Sequence, residues 1–266
     1  MLVLHVLGSG SKGNAAVVED TATGRGIAVD CGLCKREFMG RAERSGFDPA
    51  RIDAILLTHD HSDHVKGLGP VMRGFAKMRD HAPDLFALDE VARASSEVGK
   101  VAPICAVRSL RLGEPHVFGG ITAVPFRTSH DAAASCGFRF ESADGDALGY
   151  VTDTGVITDE AHEALRDVRV LALEANHDVK MLREGPYPYA LKRRVGGELG
   201  HLSNDQAAAE LTRLLSDRLE FVVGMHLSEN NNAPSVARRA LEGALRGNGH
   251  GAILEMAAQG MAVSVG

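Results

Sequence analysis

The sequence predicts an α/β protein in which two mixed β-sheets pack face to face and helices cover their outer faces. Three observations carry this expectation. β-rich runs come first, helical spacing follows, and the same order recurs in the second half of the chain. Between them lie five short strand-like runs separated by Gly, Pro and Asp. Residues with metal-ligand chemistry sit again and again just past a strand. The chain has 266 residues, 44% of them hydrophobic, enough for a sizeable core in one domain spanning 1–266 without a linker.

In order, Leu2 to Leu7 reads as a strand that enters the loop Gly8-Ser9-Gly10-Ser11-Lys12-Gly13-Asn14. That loop fits Gly-x-Gly-x-x-Gly, but a dinucleotide fingerprint must open a helix. Here Ala15 to Glu19 reads as a strand, so a hairpin is expected, with loop N–H groups that could still touch a phosphate. Gly26 to Asp30 is a third strand, closed by Asp30-Cys31-Gly32, and Cys34 to Ser45 is helical. Ile52 to Leu57 is a strand, Val65 to Met78 a helix, Asp84 to Leu88 a strand and Asp89 to Val98 a helix capped by its aspartate. The five short strands are 104–107, 117–118, 121–127, 137–140 and 148–151. Helix 159–166, strand 168–173, helix 203–215, strand 220–225 and helix 234–246 follow, with closing strands at 253–255 and 261–265. The stretch 178–200, punctuated by Gly and Pro, reads as an irregular excursion.

Net charge is −6, so any nucleic-acid contact must come from a local basic patch. No apolar run approaches a membrane span and no charged signal head opens the chain, which makes a cytoplasmic protein the default expectation. The four cysteines do not form a secreted framework. Cys31 and Cys34 lack both a thioredoxin-like context and a second pair for zinc, so they read as buried or loop residues.

The chemistry concentrates in Thr58-His59-Asp60-His61-Ser62-Asp63-His64, just past the strand at Ile52 to Leu57. Neutral imidazole suits zinc, iron or manganese, and carboxylate both binds the ion and lowers the charge of the site. In an extended loop alternate side chains share a side, so His59 and His61 can grip one ion. Asp63 and His64, entering a helix near Val65, can face a second. Three more candidates occupy equivalent places at strand ends: His130, Asp153 and His226.

The His-x-His-x-Asp-His run resembles the signature of the metallo-β-lactamase superfamily, whose fold is an αββα sandwich. The resemblance implies two divalent ions (Zn, Mn or Fe). One would be held by His59, His61 and His130, the other by Asp63, His64 and His226, with Asp153 bridging. Asp30, in a turn resembling the family's first motif, would orient ligands from behind. Among the remaining histidines, His177 stands nearest to this set in the pattern, just after Glu174.

Glu174-Ala175-Asn176-His177-Asp178, Gly200-His201-Leu202-Ser203-Asn204 and His226-Leu227-Ser228 resemble the phosphodiesterase branch that includes tRNase Z. That likeness implies Glu174 and His201 as aids to proton transfer, with Asp63 among the catalytic residues. Asn176 to Pro188, Leu191-Lys192-Arg193-Arg194 and the Gly8 to Asn14 loop are similar to the YycJ/WalJ family. Such a protein is expected to be a 5′–3′ exonuclease on double-stranded DNA, linked to mismatch repair, in which a water shared by two ions attacks the phosphodiester. The chain has no room for the helical β-CASP insert of larger relatives, so substrate grip must differ. Arg183, Tyr187, Tyr189, Lys192, Arg193 and Arg194 interleave cations and aromatics before His201 and are the expected DNA contacts. The rival readings are a small-molecule hydrolase, such as a thioesterase or cyclic phosphodiesterase, and a metal-dependent binding module.

Overall fold

The structure, a computed structural model, describes residues 1–260 and 262–266. Met261, placed at the start of the expected last strand, lies outside the described residues.

The first half runs β1 (Leu2–Gly8), β2 (Ala15–Asp20), β3 (Arg25–Val29), α1 (Lys35–Arg44), β4 (Ile52–Leu56), α2 (Ser62–Val65), α3 (Leu68–Arg79), β5 (Asp84–Leu88), α4 (Asp89–Ala94), α5 (Ser96–Val101) and β6 (Val107–Leu110). The second half runs β7 (His116–Phe118), β8 (Ile121–Arg127), β9 (Cys136–Ser142), β10 (Ala147–Val151), α6 (Asp159–Leu165), β11 (Val170–Glu174), α7 (Val179–Glu184), α8 (Tyr189–Val195), α9 (Asn204–Leu214), β12 (Phe221–Met225), α10 (Pro234–Gly247), β13 (Ile253–Met256) and β14 (Val263–Val265).

The strands form two seven-stranded sheets, in the orders β14-β1-β2-β3-β4-β5-β6 and β13-β12-β11-β10-β9-β8-β7. Both share one grammar. Antiparallel pairing from β14 to β3 gives way to parallel pairing from β3 to β6. Parallel pairing from β13 to β10 gives way to antiparallel pairing from β10 to β7. The parallel strands explain the unbroken apolar runs, because such strands are buried on both faces. Along β11, Val170 and Ala172 join the core between the sheets, while Leu171 and Leu173 pack with Ala207 and Leu211 of α9 and Leu241 of α10.

Several sequence boundaries shift for local reasons. The helix expected from Val65 begins at Ser62 and breaks at Gly67, whose N–H donates to Cys31 O at 2.8 Å instead of continuing the ladder. The expected helix 89–98 is two: Ser95 interrupts it and caps α5, while Asp89 lies inside the first turn of α4 rather than at its cap. Ile104 and Cys105 finish the turn of α5, donating to Val101 O, so β6 starts three residues later than the expected strand. The 178–200 excursion is a pair of short helices. Asp178 caps α7 through Met181 N at 2.8 Å, and the Gly and Pro residues fall in the connections. The Gly-rich loop after β1 joins antiparallel strands, as expected of a hairpin, but its N–H groups are mostly committed. Gly10 N donates to Asn14 Oδ1, Lys12 N to Gln259 Oε1 and Asn14 N to Asp63 O.

Candidate metal centre

In open α/β sheets the useful crevice lies past the carboxyl ends of the parallel strands. Here β3 delivers Asp30, β4 delivers residues 58 to 64, and β10, β11 and β12 deliver Asp153, Glu174 and His226 from three adjacent strands. The antiparallel β8 leads to His130, and Gly200 brings in His201 ahead of α9. Asp30, Asp153 and His226 each take the left-handed backbone conformation, with φ of 61°, 53° and 55°. For residues other than Gly this costs of order 1 kcal/mol or more, so the fold strains three strand ends to turn these side chains inward.

Two close approaches need glycine. A Cβ at Gly32 would meet Asp63 O at 1.6 Å, which presses the Asp30-Cys31-Gly32 turn against the metal loop. A Cβ at Gly200 would meet Val195 O at 2.2 Å, and this lets the chain pass under the end of α8 and place His201 at the site.

The ligand atoms of His59, His61 and His130 lie within 4.8 Å of one another, and so do those of Asp63, His64 and His226. Asp153 stands between the two groups: Oδ2 is 3.4 Å from His64 Nε2, and Oδ1 is 3.7 Å from His130 Nε2. Four of the five histidines have one nitrogen held by an acceptor. His64 Nδ1 donates to Asp30 Oδ2 at 2.7 Å, His130 Nδ1 to Gly200 O at 3.1 Å and His226 Nδ1 to Glu174 Oε1 at 2.9 Å. Thr58 Oγ1 donates to Asp30 and therefore accepts from His59 Nδ1 at 2.9 Å. Such outer hydrogen bonds fix the tautomer and present the other nitrogen as a lone pair.

The residues fit divalent ions. Nε2 of His59 and of His226 are buried with no hydrogen-bond partner among the described residues, which would cost free energy unless something accepts their lone pairs. The donor set is nitrogen and oxygen, with no thiolate, as borderline and hard divalent ions prefer.

Electrostatics sort the groups by their company. Burial, and then its neighbouring imidazoles, push His59 well below the ordinary histidine value. Burial opposes a charge on His64, yet Asp30 and Asp153 outweigh it and raise the group to about 9. Burial would raise Glu174, but the imidazoles of His201 and His226 hold it lowered, as a carboxylate.

Glu174 is fully buried and touches no cleft surface. It accepts from His201 Nδ1 and His226 Nδ1, each at 2.9 Å, and from Thr154 N at 2.9 Å. His201 is partly open, its ring 5.0 Å from that of His130 and 5.2 Å from that of His226. Its Nε2 makes no hydrogen bond among the described residues. Ser203, not His201, caps α9, in a capping box with Gln206.

The expected substrate contacts divide between two faces. A cleft of about 280 Å³ over the metal residues is walled by Tyr187, Leu191 and Arg194, with Ser11 on the opposite lip. Arg183, Tyr189, Lys192 and Arg193 line a separate hollow on the other face of the α7–α8 hairpin. In α8 the helical period sends 191, 194 and 195 one way and 189, 192 and 193 the other.

Some functional residues escaped the sequence reading. Asn14 Nδ2 lies 3.1 Å from Asp63 Oδ2 and 2.9 Å from His64 Nε2. Ser9 Oγ accepts from His226 N at 2.7 Å, so the Gly-rich loop braces the second ligand group. Asp131 accepts from Arg194 Nε and lies 3.6 Å from His130 Nε2. Its place next to His130 was the available signal for Asp131, while the Gly8 to Asn14 loop stood out as a motif but gave no role to Ser9 or Asn14. His177 is buried at 3% exposure, its Nδ1 has no hydrogen-bond partner among the described residues, and Asn204 N donates to its carbonyl at 2.8 Å.

Among curated relatives, the chain is 34% identical over 239 residues to the exodeoxyribonuclease WalJ of Streptococcus pneumoniae, covering 89% of this chain and 85% of that protein. It is 30% identical over 250 residues to the exodeoxyribonuclease YycJ of Bacillus anthracis, covering 94% and 91%. Among solved structures, the metallo-β-lactamase-fold protein YhfI of Bacillus subtilis superposes with a TM-score of 0.73 over 99% of both chains at 15% identity. The beta-lactamase superfamily domain model matches residues 25–226, from β3 to the last candidate ligand, and the chain therefore belongs to that family.

Proposed function

We propose that this protein is a dinuclear-metal-dependent phosphodiesterase that degrades double-stranded DNA from a 5′ end. The observation that carries the reading is His201, held by Glu174 beside both ligand groups and open to the cleft. The names of the two curated relatives, both exodeoxyribonucleases, support a DNA substrate. No helix among the described residues is long and apolar enough to cross a membrane.

His59, His61 and His130 would hold one ion, Asp63, His64 and His226 a second, and Asp153 would serve both. When bound, such ions supply Lewis-acid activation of water and neutralise the scissile phosphate. The protein's own part is orientation and proton transfer. Asp30 and Glu174 fix the imidazoles from behind, which sets their tautomers before substrate arrives. Glu174 also holds Nδ1 of His201, so Nε2 is the atom that carries a proton to the leaving 3′ oxygen. Arg194 and Tyr187 lie where they can meet the phosphates and sugar of the bound strand.

Digestion of a 5′-end-labelled duplex, run against a small phosphodiester and a thioester over a panel of divalent metals, tests the reading. The expected result is release of labelled mononucleotides with zinc, manganese or iron. Thioester turnover with an intact duplex would replace it by a small-molecule hydrolase.

A further inference from the structure

The outer face of the α7–α8 hairpin carries a basic and partly apolar surface on a chain of net charge −6. A hollow of about 390 Å³ is floored by Val179, Leu182 and Tyr189 and rimmed by Arg183, Lys192 and Arg193. Tyr189 is 76% exposed and Val179 50%, so the two stand open to solvent in one hollow. The cations are mostly uncompensated. Arg183 meets only its neighbour Glu184, Lys192 Nζ donates to Arg183 O at 2.8 Å, and neither Lys192 nor Arg193 has an ion-pair partner among the described residues. Arg194, which does have one, faces the cleft on the opposite side of the same helix.

We propose that this hollow binds an unpaired strand of nucleic acid, outside the catalytic cleft. A base would stack on Tyr189 against Val179, and its flanking phosphates would lie on Arg183, Lys192 and Arg193. Two cations without a carboxylate partner, Lys192 and Arg193, and a third, Arg183, paired with its neighbour Glu184, match a polyanion, and an open aromatic ring matches a base whose face is free. Inside a duplex each base is covered on both faces by its neighbouring pairs and its edge is held by its partner, so the ring favours the unpaired bases of single-stranded tails. Only α8 separates the hollow from the cleft, and a helix is about 10 Å across with its side chains. One strand of a tailed duplex can therefore occupy the hollow while the other enters the cleft. This inference rests on the nuclease reading above.

The test is the affinity of the full-length, metal-loaded protein for blunt and single-strand-tailed duplexes of equal length, measured by fluorescence anisotropy across a salt series. Tyr189→Ala should weaken binding of the tailed duplex roughly 5- to 100-fold, the span of one lost stacking contact. Lys192→Ala with Arg193→Ala should flatten the salt dependence by about 1.4 in log–log slope, for two phosphate contacts to a single strand. Both variants should bind the blunt duplex and hydrolyse a small phosphodiester as the wild type does. Wild-type affinity for the tail in these variants, or an equal loss on blunt ends, would overturn the assignment even while the enzyme still degrades DNA. A wild type that binds and degrades no DNA at all would defeat the nuclease reading, and this inference with it. A glutamate-rich peptide that binds the wild type more tightly than the tail, and fails to bind the same variants, would make the hollow a protein-docking face and overturn the assignment.

Discussion

His201 Nδ1 and Glu174 Oε1 stand 2.9 Å apart, and the same oxygen accepts from His226 Nδ1 at 2.9 Å. One buried carboxylate thus ties a candidate ligand to a candidate proton donor. The other oxygen accepts from Thr154 N and Leu202 N, so four N–H groups converge on this side chain. A carboxylate can accept from all of them where an amide, with one oxygen and one NH2, cannot.

Glu174→Gln should therefore separate shape from electrostatics. The isosteric amide keeps the packing but turns a donor toward an N–H, or leaves the site without its negative charge. Metal affinity and DNA hydrolysis should each fall about 10- to 100-fold, as for other groups that orient ligands from behind. Metal titration and steady-state rates check this. Unchanged metal affinity would show that His226 needs no such support.

Asp30 makes the companion case on the same ligand group, through His64. Its side chain is completely buried and accepts from Thr58 N at 2.9 Å, Thr58 Oγ1 and His64 Nδ1. Asp30→Ala leaves these donors unpaired in the interior, at a cost of about 3–5 kcal/mol. Urea unfolding of the metal-free variant should show that loss, and calorimetric titration should show weakened metal binding in whatever protein remains folded.

Arg194→Ala tests the cleft wall. The guanidinium is 58% exposed, so removing its pair with Asp131 should change stability by less than about 1 kcal/mol. DNA should bind more weakly, with the log–log salt slope flatter by about 0.9 for one lost phosphate contact. An unaltered slope would exclude Arg194 from phosphate contact.

The acid limb of stability should report His177. Burial lowers its pKa from 6.5 to about 4. The folded state therefore binds fewer protons than the unfolded chain, and stability is full above pH 6.5. It falls as pH drops from 6.5 toward 4, by about 3 kcal/mol in all. His177→Asn should flatten the stability–pH curve in that window relative to the wild type. An identical slope in both proteins would assign the acid sensitivity elsewhere.

Much of the fold was legible because its signals are local. Strand-end ligands stand out when parallel strands read as apolar runs that stop at His or Asp, and the 58–64 motif is compact enough to be seen whole. What was missed depends on long-range packing. The break at Gly67 comes from a carbonyl of residue 31, and the bracing by Ser9 and Asn14 depends on a hairpin loop that folds back over strands far along the chain. The basic segment before His201 was visible as composition. Its division into two faces was not, because it required knowing that 189–195 is a helix and which side of it meets the cleft.

We propose that His201 donates a proton in phosphodiester cleavage while His59, His61, His64, His130 and His226 hold metal. The most direct measurement compares His201→Ala with wild type on DNA and on a nitrophenyl phosphodiester, with metal content determined on the same samples. The predicted result is unchanged metal content, a loss of about 10²–10⁴ on DNA, and a much smaller loss on the nitrophenyl ester, whose leaving group hardly needs a proton. Loss of metal from the variant, or equal losses on both substrates, would contradict the claim.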